Sequence, residues 1–285
     1  MKAKEIRLKN YGVIISNERP LVLIAGLCVL EDRKSAFYAA ELLKEYAASS
    51  GLSLVFKASY DKANRSSIKA YRGPGIKEGL KILGEVKKRY SIPVLTDVHS
   101  VAEVWEAAKV ADIIQIPAFL CRQTDLVCAC AKTGLPVNVK KGQFLSPRDM
   151  FNVVDKIESC GNRNILLTER GSSFGYNNLV VDMRSIEIMK ETGYPVIFDA
   201  THSVQLPGAR GGSTGGERQF IQPLSKAAAA LGIAGIFIET HRDPSKALSD
   251  GANSLALKEV LKYLKAIKKI DNAVKPAGGG DNEVL

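Results

Sequence analysis

The chain lacks an apolar run long enough to cross a bilayer: Leu21–Leu30 falls well short of the roughly 20 residues that a spanning helix needs. No membrane partner is therefore expected. No secretory signal is expected either, because no apolar core of signal length directly follows the charged Met1–Lys9. Cysteine is scarce and odd in number. Cys28, Cys121, Cys128, Cys130 and Cys160 match no zinc-ribbon or zinc-finger spacing and do not pair off as a disulfide framework. We expect free thiols in a reducing cytoplasm. No Pro/Gly/Ser linker interrupts the sequence, so residues 1–285 read as one domain. No nucleic-acid reading motif accompanies the basic balance, and no nucleic-acid partner is expected.

What is present suits a globular enzyme. Of 285 residues, 46% are hydrophobic and 25% charged, an ordinary composition. A chain of this length buries about 75% of its unfolded surface and needs no disulfide or metal to hold a core. The formal charge is +10, from 40 Lys+Arg against 30 Asp+Glu. Many of the cations fall in Lys258–Lys269, where Leu257, Val260, Leu261, Leu264 and Ile267 recur at helical spacing. That pattern is an amphipathic helix with a solvated basic face. A second group of cations stands singly after apolar runs.

Short β-rich runs alternate with helical patterns. The strands are expected at Leu21–Ala25, Leu52–Phe56, Val94–Thr96, Ile113–Ile116, Val137–Val139, Ile165–Thr168, Val196–Phe198 and Ile236–Ile238. Helical stretches lie between them, and Leu255–Lys269 follows the last. Eight βα repeats imply parallel strands, and the simplest closure is an α/β, (β/α)8 TIM barrel. A doubly wound open sheet is the alternative. Glu5–Lys9 and Val13–Ser16 flank Asn10-Tyr-Gly12 and read as a hairpin cap within residues 1–17. The tail 276–285 is expected to be disordered.

A barrel enzyme carries its chemistry at the C-terminal ends of its strands. Reading off those ends gives Cys28, then Lys57, Ser59 and Lys62, then Asp97 and His99. Gln115 follows, then Lys140 and Lys141, Glu169 and Arg170, Asp199 and His202, and finally Glu239 and His241. Any one of these alone reads as a strand-end residue meeting solvent; the whole ring does not. Candidate catalytic groups are Lys57, Lys62, Asp97, Lys140 and His202. Four cations, Lys57, Lys62, Lys140 and Arg170, repel one another around one pocket unless an anion fills it. A ligand bearing phosphate and carboxylate answers that need, with Arg170 suited to bidentate contact.

A second set is Cys28, His202, Glu239 and Asp250. One thiolate, one imidazole and two carboxylates can bind a divalent Zn²⁺, Fe²⁺ or Mn²⁺ ion. The competing reading makes Cys28 a small packing residue between Leu27 and Val29 and His202 a hydrogen-bonded structural histidine. Cys128 and Cys130, two apart on a helix, point different ways and read as packing. His241 reads equally as support for the site or as structural.

Several segments resemble the 3-deoxy-D-manno-octulosonate 8-phosphate synthase family. They are Lys57-Ala-Ser-Tyr-Asp-Lys-Ala-Asn-Arg-Ser-Ser67, Tyr71-Arg-Gly-Pro-Gly75, Gln115-Ile-Pro-Ala-Phe119, Arg122-Gln-Thr-Asp125, Asn138-Val-Lys-Lys141, Phe174-Gly-Tyr-Asn-Asn-Leu-Val-Val-Asp182 and Phe198-Asp-Ala-Thr-His202. The similarity runs from about Leu21 to Lys269, and the related heptulosonate phosphate synthases differ over Lys62–Ser67. The resemblance implies condensation of phosphoenolpyruvate with arabinose 5-phosphate and water. By position, Lys57, Lys62, Lys140 and Arg170 hold phosphoenolpyruvate, with Ser59 and Gln115 beside them, while Asn64, Arg65 and Ser66 hold the sugar phosphate.

The resemblance also implies a homotetramer with an arginine contributed across a subunit interface, and we expect Arg65 to be that residue. One branch of the family has Asn at the position of Cys28 and uses no metal; the other has Cys and needs one. Cys28, Lys141-Gly-Gln143 and Leu248-Ser-Asp250 resemble the metal-dependent branch, although Leu27 stands where that branch tends to carry proline. The runner-up is a heptulosonate phosphate synthase acting on erythrose 4-phosphate.

Overall fold

The structure is a computed structural model and describes residues 3–209 and 215–275. The tail 276–285 lies outside the described residues. Two short strands, β1 (Ile6–Leu8) and β2 (Val13–Ile15), form an antiparallel hairpin with Leu8 opposite Val13. Six parallel strands follow: β3 (Val22–Val29), β4 (Leu54–Ser59), β5 (Val94–Asp97), β6 (Ile113–Ile116), β7 (Val137–Lys140) and β8 (Ile165–Glu169). After a two-residue hairpin, β9 (Ser172–Ser173) with β10 (Leu179–Val180), come β11 (Val196–Asp199), the short pair β12 (Gln205–Leu206) and β13 (Gly215–Gly216), β14 (Gly235–His241) and β15 (Leu255–Ala256). Strands β3 to β8, β11 and β14 pair in sequence order, and β14 returns to β3, so the eight close into a barrel. An open sheet has no such return pairing.

Among the described residues, eight α-helices surround the barrel: α1 (Arg33–Ser49), α2 (Ile76–Tyr90), α3 (Val101–Ala108), α4 (Thr124–Lys132), α5 (Asp149–Ser159), α6 (Arg184–Lys190), α7 (Ile221–Ala230) and α8 (Leu257–Val274). Local chemistry sets their ends. Asp32 caps α1 by accepting from the Ser35 N–H at 2.7 Å. Lys87, Lys88 and Arg89 occupy the last turn of α2, where cations suit the helix dipole. Along α8, Lys258, Lys262, Lys265 and Lys269 are exposed while Val260, Leu264 and Ile267 are buried, as the periodicity predicts.

The core has two parts. One lies between strands and helices and includes Leu23, Phe56, Ile116, Val139 and Leu264. The other fills the lower barrel and packs Ile6, Leu8, Val13 and Ile15 of the hairpin against Val55, Leu95, Ile113, Leu166, Ile197 and Phe237. Side chains alternate across a strand, so the residue two places on from each inward apolar group also points inward. Those residues are Lys57, Asp97, Gln115, Thr168, Asp199 and Glu239. The barrel interior is therefore apolar at the hairpin end and polar at the other, and the site follows from strand register.

All the barrel strands but β6 run one to four residues further than the apolar runs suggest. Ser59, Asp97, Lys140, Glu169 and Asp199 are strand residues with buried side chains. Gly26 permits this close approach: a Cβ there would lie 1.9 Å from the Lys57 carbonyl oxygen.

Candidate active site

A cavity of about 700 Å³ opens at the C-terminal ends of the strands. Lys57, Lys62, Asn64, Arg65, Ser66, Asp97, Gln115, Lys140, Arg170, His202, Glu239 and Asp250 all line it. Cys28 and Ser59 sit just behind its wall. Cys28 is 5% exposed and its Sγ contacts Asp250 Oδ2 at 3.3 Å and Ser249 Oγ at 2.8 Å. Ser59 is fully buried and donates to Asp97 Oδ1. Its observed partner is thus the Asp97 carboxylate, whereas the sequence reading set it beside phosphoenolpyruvate.

The cations do not face one another bare. Lys57 Nζ lies 2.6 Å from Glu239 Oε1 and donates to the carbonyls of Cys28 at 3.0 Å and Leu27 at 3.3 Å. Lys62 Nζ is 3.7 Å from the same carboxylate oxygen. Lys140 pairs with Asp199 and lies 3.8 Å from the Phe237 ring centre. Interleaved carboxylates offset three of the four cations. Arg170 differs: among the described residues its Nη2 meets only neutral oxygens, the His202 carbonyl at 3.1 Å and Gln205 Oε1, and its buried Nε has no partner.

Arg170 is held by a buried layer beneath it. Glu169 Oε1 accepts the N–H groups of Arg170 at 3.0 Å and Gly171 at 2.6 Å, and Ser185 donates to the other oxygen at 2.6 Å. Lys141 is fully buried, with its Nζ 2.9 Å from Ser172 Oγ and 3.6 Å from Glu169. Gly171 has φ +90°, a turn that favours glycine, and it redirects the chain immediately after the guanidinium.

These contacts shift the titration of the wall. Burial alone pushes carboxyl groups up, but His99, Lys62 and Lys57 more than reverse this for Asp97 and hold it well below the usual range. Glu239 is likewise depressed against its burial by His202, Lys57, Lys62 and Lys140. Asp199 is depressed against its burial by His202 and Lys140. Burial lowers Lys140, with Asp199 and Glu239 opposing. Burial and the Glu239 charge raise the Cys28 thiol well above its ordinary value.

Cys28, Glu239 and Asp250 place one donor atom each within 4.8 Å of one another. His202 Nε2 lies 3.4 Å from Glu239 Oε2 and 3.8 Å from Asp250 Oδ2. The residues fit a divalent ion on two observations. Glu239 Oε2 is buried without a hydrogen-bond partner. His202 Nδ1 lies 2.7 Å from Asp199 Oδ2, and a proton held on that nitrogen leaves Nε2 as a free lone pair. Thiolate, imidazole and carboxylates suit Zn²⁺, Fe²⁺ or Mn²⁺ better than Mg²⁺. The β3–β4 register shifts between Leu27 and Val29, beside Cys28. β3 thus continues through Leu27 without the proline.

Arg65 lines its own chain's cavity. Its Nε donates to the Tyr71 carbonyl at 2.9 Å and its Nη2 to the Leu248 carbonyl at 3.2 Å, folding the β4–α2 loop back onto its own barrel. His241 is absent from the cavity wall and meets Glu31 and the Asp243 backbone. Cys130 is buried and Cys128 half-buried, in keeping with opposite directions on α4, and all five thiols are free. Gln143, Gln205 and Arg218 also line the cavity and escaped the sequence reading. Only Gln143 carried a cue, in Lys141-Gly-Gln143; the other two sit in loops whose course no periodicity fixes.

Fold and site together define a (β/α)8 barrel with a cation-rich cavity and a thiol–carboxylate–imidazole donor set at the C-terminal ends of its strands. The sequence profile described as the DAHP synthetase I family matches residues 3–276, and the chain belongs to that family. A protein of Geobacter sp. (strain M21) named 2-dehydro-3-deoxyphosphooctonate aldolase is 60% identical over 263 residues, covering 92% of this chain and 96% of that one. Proteins of the same name from Geotalea daltonii and Pelobacter propionicus are 58% identical over 272 residues and 60% over 264. The match covers 95% of this chain and 99% of the relative in the first case, and 93% and 97% in the second.

Proposed function

We propose that the chain joins phosphoenolpyruvate to D-arabinose 5-phosphate, with water, giving 3-deoxy-D-manno-octulosonate 8-phosphate and inorganic phosphate. The observation that carries this reading is a single cavity holding both the cations Lys57, Lys62, Lys140 and Arg170 and the loop group Asn64, Arg65 and Ser66. The names of the relatives point the same way.

In the reaction, the methylene carbon of the enol phosphate attacks the sugar aldehyde, whose oxygen takes up a proton. Water adds at the neighbouring carbon and loses one. Phosphate leaves from that carbon, whose hydroxyl becomes the ketone. Two anionic substrates repel in water, so the site must present fixed cations before they meet. Arg170 and Lys140 take the phosphoenolpyruvate charge. Lys57 and Lys62 reach the same space from β4 and the loop after it. Gln115 orients the enol phosphate by hydrogen bonding, and Asp97, held ionised beside His99, adds negative charge near the two β4-side lysines. Arg65, Asn64 and Ser66 bind the sugar phosphate. Holding both reactants in register contributes about 7–11 kcal/mol to the barrier reduction in well-oriented systems.

Cys28, His202, Glu239 and Asp250 would hold one divalent ion, which would supply Lewis-acid chemistry there. The protein assembles as a homotetramer. Phe119, Phe144 and Phe174 with Tyr176 follow the adjacent strands β6, β7 and β8 and are more than half exposed, a group of apolar side chains that suits burial against another copy.

The test is phosphate release from phosphoenolpyruvate with arabinose 5-phosphate and, separately, erythrose 4-phosphate. Release with the five-carbon sugar is expected. Release with the four-carbon sugar alone would make the chain a heptulosonate phosphate synthase, and release with neither would overturn the condensation reading.

A further inference from the structure

Two residues before Asp250, the backbone of Leu248 is held on both sides. Its N–H donates to Glu31 Oε1 at 2.9 Å, and its carbonyl accepts from Arg65 Nη2 at 3.2 Å. The second oxygen of Glu31 lies 3.4 Å from His241 Nε2, and His241 Nδ1 lies 2.6 Å from the Asp243 carbonyl oxygen. Glu31 is itself fixed to the end of β3. The Leu30 N–H donates to the Ser59 carbonyl at 2.9 Å, and the Tyr71 hydroxyl donates to the Leu30 carbonyl at 3.0 Å. One carboxylate therefore ties the strand end that carries Cys28 to the loop that carries Asp250.

That loop needs an anchor. Asp250 has φ +50°, a left-handed conformation that a residue with a side chain keeps only where its surroundings hold it. Arg65 is a poor permanent anchor, because its guanidinium lines the cavity and is drawn to a sugar phosphate when one binds. Glu31 is not on the cavity wall, so its bond to Leu248 does not compete with a ligand there as the Arg65 bond does.

We propose that Glu31 is the positioning residue for Asp250, setting through the Leu248 N–H the distance at which Cys28, Glu239 and Asp250 converge. The proposal rests on the divalent-ion reading of those three donors. It gives Glu31 no contact with substrate and assigns His241 to steadying the Glu31 carboxylate.

The experiment measures Zn²⁺ affinity directly, by competition of the metal-stripped full chain with a chromogenic chelator. Glu31→Ala is expected to weaken Zn²⁺ binding by about 10–100-fold, the usual effect of losing an outer support of a metal ligand. Glu31→Asp, one methylene shorter, should weaken it too and serves if the alanine variant does not fold. Glu31→Gln keeps an acceptor oxygen for the Leu248 N–H and should bind Zn²⁺ as the wild type does. Wild-type affinity in Glu31→Ala and Glu31→Asp overturns the proposal, and so does a Glu31→Gln chain as weak as Glu31→Ala. Wild-type protein that binds no Zn²⁺ overturns the metal reading itself, and that failure shows before any substitution is made.

Discussion

Lys57 and Glu239 meet at 2.6 Å with both side chains wholly buried, and the second oxygen of Glu239 is left without a hydrogen bond. A buried pair of this kind stabilises the fold little relative to apolar replacements, yet removing one partner strands the other charge. Glu239→Gln should therefore destabilise the metal-free protein by about 3–5 kcal/mol. The double variant Lys57→Met/Glu239→Leu should recover much of that loss while remaining inactive. Urea denaturation of the three proteins checks this. A single variant as stable as wild type would mean that Lys57 is not committed to Glu239.

Arg170 is the cation of the ring that no carboxylate pairs with, so it is the most available for an incoming anion. Arg170→Ala and Lys140→Ala should each lower kcat/KM for phosphoenolpyruvate by about 10²–10³-fold, as loss of one fixed charge-stabilising donor does elsewhere. Circular dichroism should be unchanged. Unaltered efficiency in both variants would remove them from the anion site.

His99 sits between two carboxylates, 3.0 Å from Asp97 Oδ2 and 3.3 Å from Glu103 Oε2. Burial lowers its pKa, but Asp97 and Glu103 outweigh that and raise it above the ordinary value. A raised histidine contributes stability that is complete below its unfolded pKa near 6.5 and is lost as pH rises through the folded pKa. Asp97 is depressed, so its contribution is present above about pH 4 and fades as pH falls through the folded pKa. The chain has three histidines, His99, His202 and His241, so a proton NMR titration with a His99→Gln control resolves it. Titration of His99 at or below pH 6.5 would contradict the prediction.

Much of this was legible from residue patterns because a buried parallel strand writes itself as an apolar run. The strand at Ile113–Ile116 has the bounds the pattern predicts. The polar ring was legible for the same reason: alternation brings Asp97, Asp199 and Glu239 to the inner face two places beyond Leu95, Ile197 and Phe237. The pairing within the ring was not, since Lys57–Glu239 and Lys140–Asp199 depend on which strands touch across the closed barrel. The place of Arg65 on its own chain's cavity wall was not legible, because a loop's return path leaves no periodic trace and turns on hydrogen bonds to the backbone of Tyr71 and Leu248. Glu31 was missed for that reason too.

The position of Arg65 changes what subunit mixing should show. Because Arg65 lines its own chain's cavity, mixing Arg65→Ala subunits with Cys28→Ala subunits leaves no site with both residues intact. Activity should not recover above that of the separate variants. Partial restoration would return Arg65 to a neighbouring site. The assembly itself is checked by analytical ultracentrifugation, in which Phe174→Glu/Tyr176→Glu should shift a tetramer toward smaller species. A fully active wild-type monomer would overturn the assembly.

Cys28 separates the metal-dependent reading from a packing role. As a core residue it fills a small space beside Leu27 and Val29, and Cys28→Ser would then cost little activity. As a ligand it must lose its proton, and burial together with Glu239 opposes that loss, so an ion must supply the compensating charge. Zn²⁺ affinity should accordingly fall as pH is lowered, because protons compete for the sulfur. Cys28→Ser should lose metal and turnover together. Cys28→Asn resembles the metal-free branch of the family at this position and should keep some turnover that chelators do not touch. Elemental analysis and phosphate release on the same samples check both effects. If chelator-treated wild-type protein, shown to be metal-free, turns over at the full rate, Cys28 only packs, and the unpaired oxygen of Glu239 must be satisfied in some other way.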